Sequence, residues 1–385
     1  MAIFPNLRGL VRSTSLQKGS NDGRGTEAAD SLAKAARKNE SMLCSTGKAR
    51  SHKYSRFASV CSKRGEKGTN QDCFVVWEDF GCQDDMIFCG VFDGHGPWGH
   101  LVAKRARELV PSSLLCNWQE AVGLELATGL PSGKLDDDGN MLELWSRSFL
   151  KTYAQVDYEL KQDRSINCYQ SGCTALTIVK QGDRLLIANI GDCRAVLARV
   201  SEDGTLAPIQ LTVDLKPNLP REAERIKQSR GRVFCMNDEP GLYRMWTPNG
   251  NSNGLAVSRA FGDYCIKDFG LISVPDISPR KLSPDQDRFV ILATDGVWDV
   301  VSNQEAVDIV SSVPDREQSA KRLVEHAASA WKRRRRGIAK DDITAICLFL
   351  NPPANATTPP HPSRRLLKEA LGDGHQAVDT KLCKK

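Results

Sequence analysis

An α+β fold built on antiparallel sheets is the expectation from three features of the chain. Strand-like runs cluster apart from helical ones, several strands are joined by turns tight enough for hairpins, and two long amphipathic stretches follow each other with no strand between them. Residues 1–52 are polar, rich in Ser, Gly, Lys and Arg, and read as a disordered basic leader, with a short helix over Ala29–Arg37. Phe57–Val60, Asp72–Trp77 and Met86–Phe92 read as strands, the last two separated by a turn over Phe80–Asp85. After Gly96 the apolar positions Trp98, Val102, Ala106 and Leu109 fall on one face of a helix, which Pro111 is expected to end. A loop over 129–140 precedes a second amphipathic helix, Leu142–Leu160, whose Trp145, Phe149 and Tyr153 belong to its core face.

Strands then dominate. Cys173–Val179 and Leu185–Ile190 form a hairpin through Gln181-Gly-Asp183, and Ala195–Val200 returns after a sharp turn at Gly191-Asp-Cys-Arg194. Pro220–Gln228 reads as a short helix, Gly254–Arg259 and Phe289–Ala293 as buried strands, and Ser302–Ser311 and Ser319–Arg335 as helices. Ile343–Leu350 closes a domain taken as 53–351. Residues 352–385 are Pro-rich, polar and basic, and read as a loose tail.

The formal charge of +6 is concentrated at the ends. Lys and Arg outnumber Asp and Glu by nine to four in 1–50 and by six to three in 352–385, whereas 51–351 is slightly acidic. The body therefore carries no bulk charge favouring nucleic acid, which argues against a nuclease. No apolar run reaches membrane-spanning length. Thirteen cysteines, scattered singly in apolar runs without a Cys-x-x-Cys spacing, suit reduced thiols in the cytoplasm or nucleus better than disulfides or zinc. The Arg- and Ser-bearing N-terminus also admits a transit peptide, and Lys332–Arg336 reads either as a solvated helix end or as a nuclear address.

Chemistry collects at acidic turns. Met86-Ile-Phe-Cys-Gly-Val-Phe-Asp93-Gly-His95-Gly96 places a carboxylate and an imidazole at a strand end between glycines. Alone, this reads equally as a helix-capping turn or as an ion site. The design recurs in Phe289-Val-Ile-Leu-Ala-Thr-Asp295-Gly296. Asn189-Ile-Gly-Asp192, Asn70-Gln-Asp72 and Lys340-Asp341-Asp342 add carboxylates at three further strand ends. Carboxylates gathered in this way repel one another unless a hard cation shares them, and Mg²⁺ and Mn²⁺ take oxygen ligands.

In chain order, Gly-Thr-Asn-Gln-Asp72, Gly-Val-Phe-Asp-Gly-His-Gly96, Ser-Gly-Cys-Thr-Ala175, Ala-Asn-Ile-Gly-Asp-Cys-Arg-Ala195, Leu-Ala-Val-Ser-Arg-Ala-Phe-Gly-Asp263, Ala-Thr-Asp-Gly-Val-Trp-Asp299 and Asp-Asp-Ile-Thr344 resemble the protein phosphatase 2C family of metal-dependent serine/threonine phosphatases, in wording similar to its plant members. The resemblance spans roughly residues 55–350. It implies an α-β-β-α sandwich, two antiparallel sheets flanked by helix pairs, with two Mn²⁺ or Mg²⁺ ions bridged by a hydroxide at one end. By that pattern Asp93 bridges the ions, Gly94 offers its carbonyl, and Asp295 and Asp341 complete the other ion's shell, with Asp342 as the fallback for Asp341. Asp72 acts through water, and Asp192 helps to form a weaker third site. His95 is the candidate general acid for the departing Ser or Thr oxygen, the alternative being a histidine that only orients an aspartate.

Two departures stand out. Lys67 occupies the position of the family's phosphate-binding arginine, with Arg64 nearby as a possible substitute, and Gln71 stands where many members carry Glu. Cys173 and Cys193 replace more usual serines. Gly241–Gly254 fits the family's flap beside the cleft, with Trp246 either touching substrate or packing in the core. The implied partners are phosphorylated proteins, bound by a monomer. The alternative is a catalytically weak scaffold of the same fold that binds phosphoproteins.

Overall fold

The strand Met86–His95 (β4) alternates in two directions at once: Phe88 and Phe92 face one core, while Ile87, Cys89 and Val91 face another. A strand buried on both faces reads as a continuous apolar run, and this one lies inside a stack of layers. The computed structural model describes residues 42–44, 57–127, 138–237, 239–250, 254–335 and 338–351. The remaining residues, including the expected Ala29–Arg37 helix and the 352–385 tail, lie outside the described residues.

The elements before the first helix are β1 (Met42–Cys44), β2 (Ala58–Lys63), β3 (Asp72–Glu78) and β4. Two long helices follow, α1 (Gly99–Ala127) and α2 (Asp138–Gln162). Next come β5 (Gly172–Cys173), β6 (Ala175–Gln181), β7 (Arg184–Ile190), β8 (Arg194–Val200) and β9 (Leu206–Gln210). Then follow α3 (Pro220–Gln228), β10 (Arg232–Phe234), β11 (Arg244–Trp246), β12 (Phe261–Gly262), β13 (Asp276–Lys281) and β14 (Asp287–Ala293). The last elements are α4 (Asp295–Trp298), α5 (Asn303–Ser311), α6 (Ser319–Arg334) and β15 (Ile343–Phe349).

One sheet runs β1-β3-β4-β6-β7-β13, with β5 and β12 appended beside β4, and the other runs β2-β15-β14-β8-β9. The paired strands of both are antiparallel. Between the sheets lies a dry layer that includes Ile87, Val91, Leu176, Ile178, Leu197, Leu292 and Ile346. Helices α1 and α2 cover the first sheet, where Trp118 stacks on Trp145 at 4.9 Å and Tyr153 hydrogen-bonds Thr177 at 2.9 Å. Helices α5 and α6 cover the second through residues including Val307, Leu323, Ala327 and Trp331. The α-β-β-α sandwich is thus present, and Trp145, Phe149 and Tyr153 are core residues.

Three expectations need correction. Pro111 does not end α1, which continues to Ala127. An internal proline costs a helix about 3 kcal/mol. Burial of Leu114, Leu115 and Trp118 against the first sheet outweighs that loss, at roughly 1.5–3 kcal/mol for each large apolar side chain. Gly254–Arg259 is not a strand. Its backbone is shared among isolated bridges to Met245 and Ile272 and a bond from Ser258 to Leu215, so no single ladder forms. Strand β1 falls within the stretch read as a leader and pairs with β3, Met42 opposite Trp77. The edge strands β9 and β13 each contain a proline, which demotes a strand reading, and β13 is polar besides.

Candidate metal centre

The acidic turns meet at one end of the sandwich because antiparallel neighbours bring strand starts beside strand ends. Asp72 opens β3 directly opposite Asp93 near the end of β4. The end of β4 is held from both sides: Gly94 N–H donates to Gln71 O at 3.2 Å, and Thr174 N–H donates to Asp93 O at 2.9 Å. Only glycine fits at 94, since a Cβ there would lie 2.4 Å from the Gly99 carbonyl oxygen. Asp192 follows Gly191, whose φ of +96° makes the sharp turn between β7 and β8. Asp295 opens α4 immediately after β14, and Gly296 lets that turn press onto the chain at Asp342, where a Cβ would lie 1.9 Å from the carbonyl oxygen.

The two adjacent aspartates before β15 do different things. Asp342 accepts backbone N–H groups from Gly65 at 2.7 Å and Gln71 at 2.8 Å, so its carboxylate fastens the 65–71 loop. Both residues line the cleft, but the Asp341 carboxylate pairs with the Lys67 ammonium. Asp192 pairs in the same way with Lys216. Beneath them Asp72 is buried. Its Oδ2 accepts from Thr294 at 2.9 Å, while its Oδ1 has no hydrogen-bond partner.

The electrostatics follow from burial and crowding. Burial, then the charges of Asp72, Asp341 and Asp192, push the Asp93 carboxyl well above its ordinary range. Asp295 is raised by burial and by Asp93, Asp192 and Asp341, and Asp72 by burial and by Asp342 and Asp295 against the hydrogen bond from Thr294. Burial works to lower the Lys67 and Lys216 ammoniums, but the carboxylates they face hold both above the usual lysine value. His95 rests against Asp263, Nε2 to Oδ2 at 2.5 Å, which outweighs burial and raises the imidazole.

A cleft of about 1060 Å³ opens over these groups. Lys67, Asp93, Gly94, His95, Asp192, Asp295, Asp341 and Asp342 are among the residues that line it; Asp72 is buried and, like the exposed Arg64, is not among them. Trp246 packs against Phe234 at 5.0 Å between ring centroids and is a core residue of the β10–β11 hairpin. As placed, no three His, Cys, Asp or Glu side chains among the described residues converge at ion-holding distance, and lysines neutralise two of the carboxylates instead. The donor set nevertheless suits a hard divalent cation. It consists of carboxylate oxygens, and a buried oxygen on each of Asp72 and Gln71 lacks a partner. Cys173 and Cys193 lie beside the cluster, and burial pushes both thiols up, away from the reactive thiolate.

Sequence reasoning missed Asp263 and Lys216 as members of the site. Asp263 carried a signal, since it ends a motif quoted for the family resemblance, but Lys216 carried none.

Two stacked antiparallel sheets with an acidic cleft at their strand ends are the architecture against which the chain's relatives are compared. The family model described as protein phosphatase 2C matches residues 57–333. Among curated proteins, "Probable protein phosphatase 2C 41" of Arabidopsis thaliana is 55% identical over 358 residues, covering 91% of this chain and 100% of that one. "Probable protein phosphatase 2C 48" of Oryza sativa subsp. japonica is 52% identical, covering 90% and 98%. Among solved structures, a serine-threonine phosphatase 2C from Toxoplasma gondii aligns with a TM-score of 0.67 at 28% identity, over 76% of this chain and 94% of that one. The chain belongs to the protein phosphatase 2C family and is a serine/threonine protein phosphatase, with the Mn²⁺ or Mg²⁺ dependence general to that family. Among the described residues no helix is long and apolar enough to cross a membrane.

Proposed function

We propose that residues 53–351 act as a monomeric catalytic unit that removes phosphate from phosphoserine and phosphothreonine in proteins through a dinuclear Mn²⁺ or Mg²⁺ centre. The observation that carries this reading is the gathering of Asp93, Asp192, Asp295 and Asp341 on one cleft, above the buried Asp72 and beside His95. Asp93 would bridge the two ions with the Gly94 carbonyl beside it, Asp295 and Asp341 would complete the set, Asp72 would act through water, and Asp192 would serve a weaker third ion. When bound, such ions activate a water and neutralise charge on the phosphoryl oxygens.

The remaining work falls to the protein's own side chains. Lys67, on the cleft wall beside Asp341, supplies a point charge for the substrate phosphate. His95, held by the Asp263 carboxylate, delivers a proton to the departing oxygen, because a Ser or Thr alkoxide is a poor leaving group. The role of Asp342 as a backbone clamp supports assigning the ligand to Asp341.

The test is release of phosphate from a phosphothreonine peptide with and without Mn²⁺ or Mg²⁺, for the wild type and His95→Ala. Turnover that depends on the metal supports the centre. A loss in His95→Ala that is larger on phosphothreonine than on p-nitrophenyl phosphate supports the proton role. Peptide binding without turnover under metal would favour a phosphoprotein-binding scaffold instead.

A further inference from the structure

We propose that Asp263 is the positioning residue for His95: by holding Nε2 it leaves Nδ1 as the atom that protonates the departing seryl or threonyl oxygen. This rests on the reading of His95 as general acid. A ring nitrogen engaged by a carboxylate is committed, and its partner nitrogen is the one left to act. The engagement is close, 2.5 Å, and the Asp263 side chain is only 7% exposed, whereas the imidazole is 26% exposed and lines the cleft.

The backbone around Asp263 is built to hold this contact. Asp263 adopts φ +52°, a left-handed conformation uncommon outside glycine, directly after Gly262 at φ +75°. Its N–H donates to Ser171 O at 3.0 Å. Gly172 supplies the space, since a Cβ there would lie 2.0 Å from Asp263 Oδ2 and 2.7 Å from His95 Nε2. The turn is seated from behind by Asp157 of α2, which accepts Gly262 N–H at 3.0 Å and the Lys267 ammonium at 2.9 Å. A carboxylate needed only for stability would not require a residue in the left-handed region, two glycines and a second, half-buried ion pair to bring it onto one imidazole nitrogen.

The proton balance is simple. As the water oxygen bonds to phosphorus, its protons leaving with the released phosphate, the bond from phosphorus to the seryl or threonyl oxygen breaks, and its electron pair stays on that oxygen. The proton on Nδ1 moves to it, leaving a neutral imidazole whose Nε2–H still donates to Asp263. Solvent then returns a proton to Nδ1.

The experiment is a cycle of Asp263→Asn, His95→Ala and the double variant, each assayed on a phosphothreonine peptide and on p-nitrophenyl phosphate, whose leaving group needs no proton. Asp263→Asn is expected to lower kcat on the peptide roughly a hundredfold with KM within about twofold, and to change p-nitrophenyl phosphate turnover by less than about threefold. In the His95→Ala background it should cost nothing further, because the two residues act as one unit. Equal losses on both substrates for Asp263→Asn, or losses that add to those of His95→Ala, overturn the proposal. Equal losses for His95→Ala itself overturn the general-acid reading and this proposal with it. A selective loss in His95→Ala with none in Asp263→Asn overturns this proposal alone.

Discussion

Asp72 and Asp93 are a cross-strand pair, two carboxylates opposite each other at the junction of β3 and β4. Like charges in that relation oppose sheet formation, and both side chains are raised by burial before any neighbour is counted. The sheet tolerates them because the rest of both strands is buried apolar surface, including Val75, Val76, Phe88 and Val91. A divalent cation would convert the repulsion into a shared attraction. Saturating Mn²⁺ is therefore expected to raise the melting temperature of the wild type, by about 2.7 kcal/mol of stability at a hundred times Kd. Asp93→Asn should melt higher than the wild type in chelator, lose most of the Mn²⁺ increment, and turn over at least roughly a thousandfold more slowly. Differential scanning calorimetry with and without Mn²⁺ reads the first two. A variant that still gains the full Mn²⁺ increment would remove Asp93 from the centre.

Lys67 carries a prediction with two opposite signs. Its ammonium pairs with Asp341 on the cleft wall, so it competes with a cation for that carboxylate while offering charge to a phosphate. Lys67→Ala is expected to tighten Mn²⁺ binding and to raise KM for a phosphopeptide about tenfold, with a much smaller change in kcat. Lys67→Arg should lower KM, since a guanidinium offers two parallel donors to one phosphate. Calorimetric Mn²⁺ titration beside steady-state kinetics measures both effects. Mn²⁺ affinity unchanged in Lys67→Ala would mean that the pair does not shield Asp341.

What could be read from the chain follows from how local each signal is. Asp93, Asp192 and Asp295 were legible because each stands at a glycine turn joined to an apolar strand, and the antiparallel order then carries them to one end. Asp263 reaches His95 from 168 residues away through a left-handed turn, and Lys216 reaches Asp192 from a loop without periodicity. Nothing local to either residue announces its partner. Trp246 was ambiguous for the same reason, because the Phe234 ring that covers it lies across a hairpin whose strands are only three residues each. Pro111 misled because the helix-breaking rule is local and the burial that overrides it is not.

Glu222 supplies the pH prediction. It lies in α3, 3% exposed, and takes hydrogen bonds from Arg259 at 2.7 Å and Ser258 at 2.6 Å, with Arg225 at 2.8 Å. Burial would push its carboxyl up, but Arg259, Ser258 and Arg225 hold it down at about 2. A carboxyl depressed in the folded state binds its proton more readily when unfolded, so its contribution is complete above the unfolded value near 4.5 and is lost as pH falls toward 2. The linkage corresponds to about 3 kcal/mol. Urea unfolding of the wild type should therefore show stability falling through this window, and Glu222→Gln should be less stable at neutral pH with a flatter acid limb. An acid limb as steep in Glu222→Gln as in the wild type would assign the loss to other carboxyls.

Asp341 and Asp342 are neighbours in sequence, yet their surroundings predict opposite losses. Asp342 spends both carboxylate oxygens on the N–H groups of Gly65 and Gln71, and its carbonyl lies against Gly296. Asparagine keeps one good acceptor and turns a donor toward the other amide. Asp342→Asn is thus expected to leave a half-buried N–H without its acceptor at about 1 kcal/mol, to loosen the loop that carries Lys67, and to change Mn²⁺ affinity little once the protein is folded. Among the described residues Asp341 clamps no distant backbone: its Oδ2 meets the Lys67 ammonium and its Oδ1 accepts the N–H of its neighbour Asp342. Asp341→Asn should therefore leave the metal-free melting temperature nearly unchanged or slightly higher, since it removes one of the charges crowding Asp93 and Asp295. It should weaken Mn²⁺ binding at least tenfold by the loss of a charged oxygen ligand, roughly 1.4 kcal/mol or more. Mn²⁺ titration and chelator-state melting of the two variants, side by side, separate the roles. The reverse pattern, with stability lost in Asp341→Asn and Mn²⁺ affinity lost in Asp342→Asn, would move the metal ligand to Asp342.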